Sequence, residues 1–190
     1  IGKGLTEPIW WFYLFSIPGW LSPVRGAGLS ISSFGVPLAF IYTMTTVGSI
    51  GGGWVSGYMI NRGMTPFKAR KITMLIFALL VVPIIFAQSQ NVSTWGAVCL
   101  IALAASAHQA WSTNLFTSVS DAFPKKVISS VTSIGGMAGA VGGAFISYIA
   151  GAILQHFKNL GHIETGYVVM FAIAGSAYLL VVSGLRIFRL

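Results

Sequence analysis

The stretch Met74-Leu75-Ile76-Phe77-Ala78-Leu79-Leu80-Val81-Val82 decides the fold. It sits inside an apolar run from about Ile72 to Ala87, with Lys68, Arg70 and Lys71 just before it. Apolar around most of its circumference, such a helix suits contact with lipid. The run Leu179-Leu180-Val181-Val182 near the end of the chain has the same character. Composition agrees: of 190 residues, 55% are hydrophobic and only 7% are charged, and the mean hydropathy is +0.83. A soluble domain of this length would need far more polar surface to cover its core. Lipid removes that requirement.

Working outward, apolar runs separated by turn signals predict an all-α membrane protein with six transmembrane helices. They cover roughly residues 5–18, 34–60, 72–87, 94–119, 128–154 and 167–188. Gly19 to Ser33, with Pro23, Gly26, Gly28 and several serines, reads as a loop. The first run is too short for a span of about 20 residues. The chain also opens on Ile1 rather than methionine. The expectation is a first helix cut at its start, with the native sequence continuing upstream.

Lys3, Arg62, Lys68, Arg70, Lys71, Lys125, Lys126, Arg186 and Arg189 fall on one side of this arrangement, against Arg25 and Lys158 on the other. Nine against two predicts that both ends and both basic loops are cytoplasmic. The pI near 10 therefore reflects topology. The cations do not form a basic face, so no nucleic-acid partner is expected. Cys99 is the single cysteine, which rules out a disulfide framework or a paired-thiol metal site.

The spans differ in kind. Spans two and five carry glycines at four-residue spacing, Gly48 and Gly52, Gly53 and Gly57, then Gly135, Gly139 and Gly143. Such spacing lets helix backbones approach closely, either in fixed packing or in packing that slides. Span four is polar in its middle. At ~100° per residue His108, Trp111 and Ser112 share a face, with Gln109 and Asn114 at its edges. In hydrocarbon these groups must face protein or a wet cavity. They can read a hydroxyl-rich ligand, or form an interhelical hydrogen-bond cluster that only holds the bundle.

Glu7 is one of three acidic residues, with Asp121 and Glu164 expected to be solvated in loops. If span one ends near Pro18, Glu7 lies near mid-membrane and is a candidate proton carrier. If the helix starts close to Ile1, Glu7 merely caps its first turn. Pro8 removes a helix N–H and frees a carbonyl beside it. Trp20 and Trp95 fall at predicted external ends and read as interfacial anchors. Trp10 and Trp11 lie deeper, so that one can line a cavity while its neighbour meets lipid; Tyr13, Tyr42 and Trp54 are the other aromatics of note.

The segment Gly52-Gly53-Trp54-Val55-Ser56-Gly57, leading to Asn61-Arg62-Gly63 and then Lys68-Ala69-Arg70-Lys71, resembles the conserved cytoplasmic loop of the major facilitator superfamily. Gly53, Arg62, Gly63, Lys68, Arg70 and Lys71 carry that resemblance, and Asn61 stands where the superfamily usually has aspartate. Residues Leu5 to Phe15, Ala107 to Phe116, Ser120 to Lys126 and Ser133 to Ala140 are similar to the C-terminal half of bacterial hexuronate transporters, in the anion:cation symporter group. The resemblance implies a twelve-helix fold whose N-terminal half is missing here, in a bacterial inner membrane. It implies import of a sugar acid such as glucuronate or galacturonate with protons, or with sodium, as coupling ion. Much of the carboxylate recognition and proton coupling would sit in the absent half. His108, Gln109, Trp111 and Asn114, with Trp10, Trp11 and Tyr13 from span one, are then the candidate substrate-binding residues.

An enzyme would need a nucleophile with a base, or a metal cluster. His108, His156 and His162 are far apart, and Cys99 has no acid or base near it in sequence. Neither a cofactor, a metal nor an enzymatic activity is expected. The alternatives within binding and transport are another sugar acid or carboxylate, or a membrane module that binds a solute without moving it.

Overall fold

A computed structural model of the chain describes residues 2–21, 35–89 and 91–187. Arg25, Arg189, the side chain of Arg186 and most of the predicted Gly19 to Ser33 loop lie outside the described residues. The described residues form six α-helices: α1 Gly2–Leu21, α2 Gly35–Asn61, α3 Pro66–Val81, α4 Thr94–Ala122, α5 Lys125–Asn159 and α6 Ile163–Ile187. A 3-10 segment, Val82–Gln88, continues α3, and no strand occurs among the described residues. Among the described residues, three of the six expected spans are long and apolar enough to cross a membrane by length and composition alone: Pro66–Gln88, Lys125–Asn159 and Ile163–Val181. The other three helices are those carrying Lys3 and Glu7, the α2 glycines, and the polar middle of α4.

Local chemistry explains the breaks. Gly63 turns the chain after α2 with φ +90. Thr65 is extended and Pro66 opens α3 at a position that needs no N–H. Pro83 cannot donate to the residue one turn back, and there α3 tightens into the 3-10 segment. Ser93 Oγ accepts from the Gly96 N–H at 3.1 Å and caps α4.

Side-chain pairings give the directions. Lys3 meets Ser112 and Glu7 meets His108, so α1 and α4 are antiparallel. Ser49 bonds Thr113 at 2.9 Å and Asn114 bonds Gly52, while Gly48 meets Ser106, so α2 and α4 run parallel. Arg70 reaches Asp121, which sets α3 against α4. These directions gather Arg62, Lys68, Arg70, Lys71, Lys125 and Lys126 at one end of the bundle.

Close approach is real on two seams. A Cβ at Gly52 would lie 2.6 Å from Ala110 Cα, so α2 and α4 touch backbone to backbone there. On the α1–α5 seam, Gly143 sits under the Trp11 indole. A Cβ at Gly142 would meet, at 2.7 Å, the Gly4 carbonyl that Pro8 leaves without its helical donor. The glycine rows are only half used, however. Gly51, Gly57, Gly135, Gly136 and Gly151 meet nothing within 4 Å.

The division of labour read from sequence needs correcting. Among the three apolar spans, α5 is the least buried, at 17% of its most apolar window against 33% and 39% for the other two. It shows a stripe of Ile134, Met137, Val141, Phe145 and Tyr148 outward. Span six, expected to face lipid, buries Tyr167, Met170, Phe171, Ala174 and Tyr178. Trp20 is no interfacial anchor: it is 0% exposed, sits edge-on to Phe171 and donates Nε1–H to Gln88 Oε1 at 2.5 Å. Trp95, 55% exposed, does stand at the surface.

Candidate functional site

The polar groups of α1 and α4 meet in one seam. Lys3 and Glu7 stand one turn apart on α1 and form an ion pair. The Lys3 ammonium also donates to Ser112 Oγ at 2.8 Å and lies 4.6 Å from the centroid of the Phe116 ring. Glu7 Oε2 is 3.8 Å from His108 Nε2. Behind the imidazole, His108 Nδ1 and the Tyr178 hydroxyl share a hydrogen bond. His108 is buried, and the Glu7 side chain, 19% exposed overall, turns a buried Oε2 toward it.

Depth follows from these contacts. Fourteen residues of α4 precede His108 from Thr94 and fourteen follow it to Ala122, so it is the midpoint of the helix. Glu7 reaches that level despite its place near the start of α1.

Aromatic rings wall the seam. Trp10 stacks on His108 with centroids 5.6 Å apart and planes 6° from parallel, and Tyr42 of α2 meets Trp10 edge-on at 6.4 Å. Tyr178 stands edge-on to both His108 and Trp111. Trp11 points the other way, over Gly143 of α5 and against Phe15. Among the described residues, Trp11 Nε1, Tyr13 OH and Trp111 Nε1 are buried without a hydrogen-bond partner, and so is Glu7 Oε2, which has the Lys3 ammonium as its ion-pair partner.

Of the sequence candidates, the structure therefore brings together Glu7, Trp10, His108 and Trp111. Tyr13 is buried in the core beside them, and Gln109 is half-buried. Asn114 is 0% exposed: its Nδ2 donates to the Gly52 and Ala110 carbonyls, both at 2.9 Å, and its Oδ1 faces Arg70 at 3.5 Å. That is the geometry of an interhelical clamp. Two participants escaped the sequence reading: Lys3, taken for a boundary charge, and Tyr178, inside an apolar span; Asp121 is exposed, as expected, but pairs with Arg70 at the basic end. A tyrosine in the middle of an otherwise apolar helix was the available signal for Tyr178.

A second cluster ties the basic end. Arg70 pairs with Asp121 at 3.1 Å and donates to Ser56 Oγ at 2.5 Å. The remaining loop residues do not join it. Arg62 lies over the Tyr58 ring at 4.8 Å and lines, with Gly63 and Lys68, an open pocket below Tyr58 and Met59. Lys71 is exposed, and Gly53 only brushes Thr113.

What these observations define is a bundle of partly apolar helices with a charged, ring-lined seam at mid-depth and a basic end. No known protein-family model matches the chain. It is similar to a probable L-galactonate transporter of Escherichia coli (strain K12), with 26% identity over 174 residues. The match takes in 90% of this chain and 38% of the relative, so the chain spans little more than a third of that protein's length. That relative is a transporter, which fits the expectation that the chain is not an enzyme.

Proposed function

We propose that the chain is the C-terminal six-helix half of a membrane transporter that imports a sugar acid by proton symport. The observation that carries this reading is the Lys3–Glu7 ion pair level with the middle of α4, beside the stacked Trp10 and His108 rings. An ionisable carboxylate inside a bundle is expensive even when paired, and such residues mark ion or substrate paths. A ring face, a hydroxyl and an imidazole beside it suit a carboxylated polyol. The similarity to a probable L-galactonate transporter supports a sugar acid as substrate class. Within that class the resemblance noted from sequence favours a hexuronate such as glucuronate or galacturonate. All six helices then act as spans, the basic end is cytoplasmic, and a second six-helix half completes the site. The outward apolar stripe of α5 is a surface that half or lipid would cover.

The test is uptake of labelled glucuronate by proteoliposomes holding the complete protein under an inward proton gradient. Accumulation that galacturonate competes and glucose does not is the expected result. Binding without accumulation would reduce the protein to a solute-binding module. Accumulation of labelled L-galactonate with none of glucuronate would move the substrate to aldonates. Accumulation driven by sodium alone would replace the coupling ion.

A further inference from the structure

We infer that Lys3 is the receptor for the substrate's carboxylate, and that Glu7 occupies it until Glu7 takes up a proton. This rests on the sugar-acid reading above. The groups that face the pair come from every element packed on it. Beyond Lys3 and Glu7 themselves, α4 supplies His108 and Ser112, α6 supplies Tyr178 behind the imidazole, and α5 brings the backbone of Gly139 against Lys3 and Glu7. Among the described residues Lys3 is thus the cation in the seam, since Arg70 is committed to Asp121 and Ser56 at the basic end.

The ammonium is held in place without Glu7. Ser112 Oγ accepts from it and the Phe116 ring lies beneath it. Glu7 is the partner that can be exchanged, because it alone in the seam switches between an anion and a neutral group that still hydrogen-bonds. One proton from solvent converts its carboxylate to the acid. With Nδ1–H donating to Tyr178, His108 Nε2 is an acceptor that faces Glu7 Oε2 at 3.8 Å, and the new O–H bonds it once the two close by about 1 Å. The substrate carboxylate then takes the vacated side of Lys3. One cation and one anion occupy the seam before and after, so one proton enters with each anion and both leave together.

Binding of glucuronate to the complete, purified protein at acidic and alkaline pH tests this. Wild type should bind tighter at acidic pH. Glu7→Gln should bind at both pH values with the wild type's acidic affinity, and Lys3→Gln roughly tenfold or more weaker at both, as loss of a charge-assisted bond implies. Lys3→Arg keeps the cation and its pairing and should retain the pH dependence, which guards against a Lys3→Gln variant that fails to fold. Unchanged pH dependence in Glu7→Gln, or wild-type affinity in Lys3→Gln, overturns the inference and leaves the transporter reading intact. A wild-type protein that binds no sugar acid at either pH removes both.

Discussion

Glu7 lies 3.8 Å from His108, and this contact sets its depth. Counted along α1 it is near a helix end; measured against α4 it stands at the centre. Buried midway along a membrane bundle, a carboxylate needs a partner or a proton, and here it has Lys3 as the partner.

In transport, Glu7→Gln should therefore uncouple rather than inactivate. Proton-driven accumulation is expected to fall to the equilibrium level while substrate exchange across the membrane persists. Uptake and counterflow measured on the same proteoliposomes separate the two, and retained accumulation would end the coupling role.

Trp10 presents one face to His108 and its edge to Tyr42. Such aromatic contacts contribute about 0.5–1.5 kcal/mol each. Trp10→Ala should raise the apparent KM by roughly 2- to 12-fold if the ring contacts substrate to that extent, with Trp10→Phe in between. An unchanged KM would assign the ring to packing.

Gly52 and its neighbour Gly51 make a paired experiment. A methyl at Gly52 would meet Ala110 Cα at 2.6 Å, while one at Gly51 meets nothing within 4 Å. Gly52→Ala should destabilise by about 1–3 kcal/mol through overpacking. Gly51→Ala should be neutral or stabilise by about 0.5–1 kcal/mol through helix propensity. Thermal unfolding in one detergent ranks them, and equal effects would mean the α2–α4 seam is looser than its geometry.

Asn114 bonds two carbonyls and leaves no amide hydrogen for a ligand. Asn114→Ala should cost about 1–2 kcal/mol, the range for interhelical hydrogen bonds in membranes, without changing substrate preference. A shift in the competition profile at unchanged melting temperature would return Asn114 to the binding site.

Arg70 and Asp121 bridge α3 and α4 at the basic end. A double-mutant cycle on Arg70→Ala and Asp121→Ala should give a coupling of up to about 1 kcal/mol, as for partly exposed pairs. Zero coupling would leave Ser56 and Asn114 as the partners that hold Arg70.

Much of the helix layout was legible because hydrophobic runs, prolines and positive-φ glycines act locally. The Asn61 to Pro66 break separates two helices whatever the rest of the chain does, although α3 opens at Pro66, ahead of the expected start near Ile72. The polar middle of α4 was equally plain, since His, Gln and Asn are costly in an apolar span. Pairing across helices was not legible. Span five read as a close-packing glycine helix, yet Gly139, Gly142 and Gly143 meet α1 while Gly135 and Gly136 meet nothing. Spacing cannot say which row has a neighbour. Trp20 read as a surface anchor for the same reason: its covering residues, Gln88 and Phe171, come from distant segments.

By itself the sequence determined a chain of apolar helices and which of them carries polar groups, because both follow from contiguous residues and their local chemistry. The helices themselves run past the expected spans, α3 from Pro66 rather than Ile72 and α5 to Asn159 rather than Leu154. Tertiary structure alone decided which polar groups share a seam. Lys3, Glu7, Ser112, His108 and Tyr178 come from three helices. Their meeting depends on helix rotation and depth, set by backbone contact at Gly52 and Gly142, which no single segment encodes.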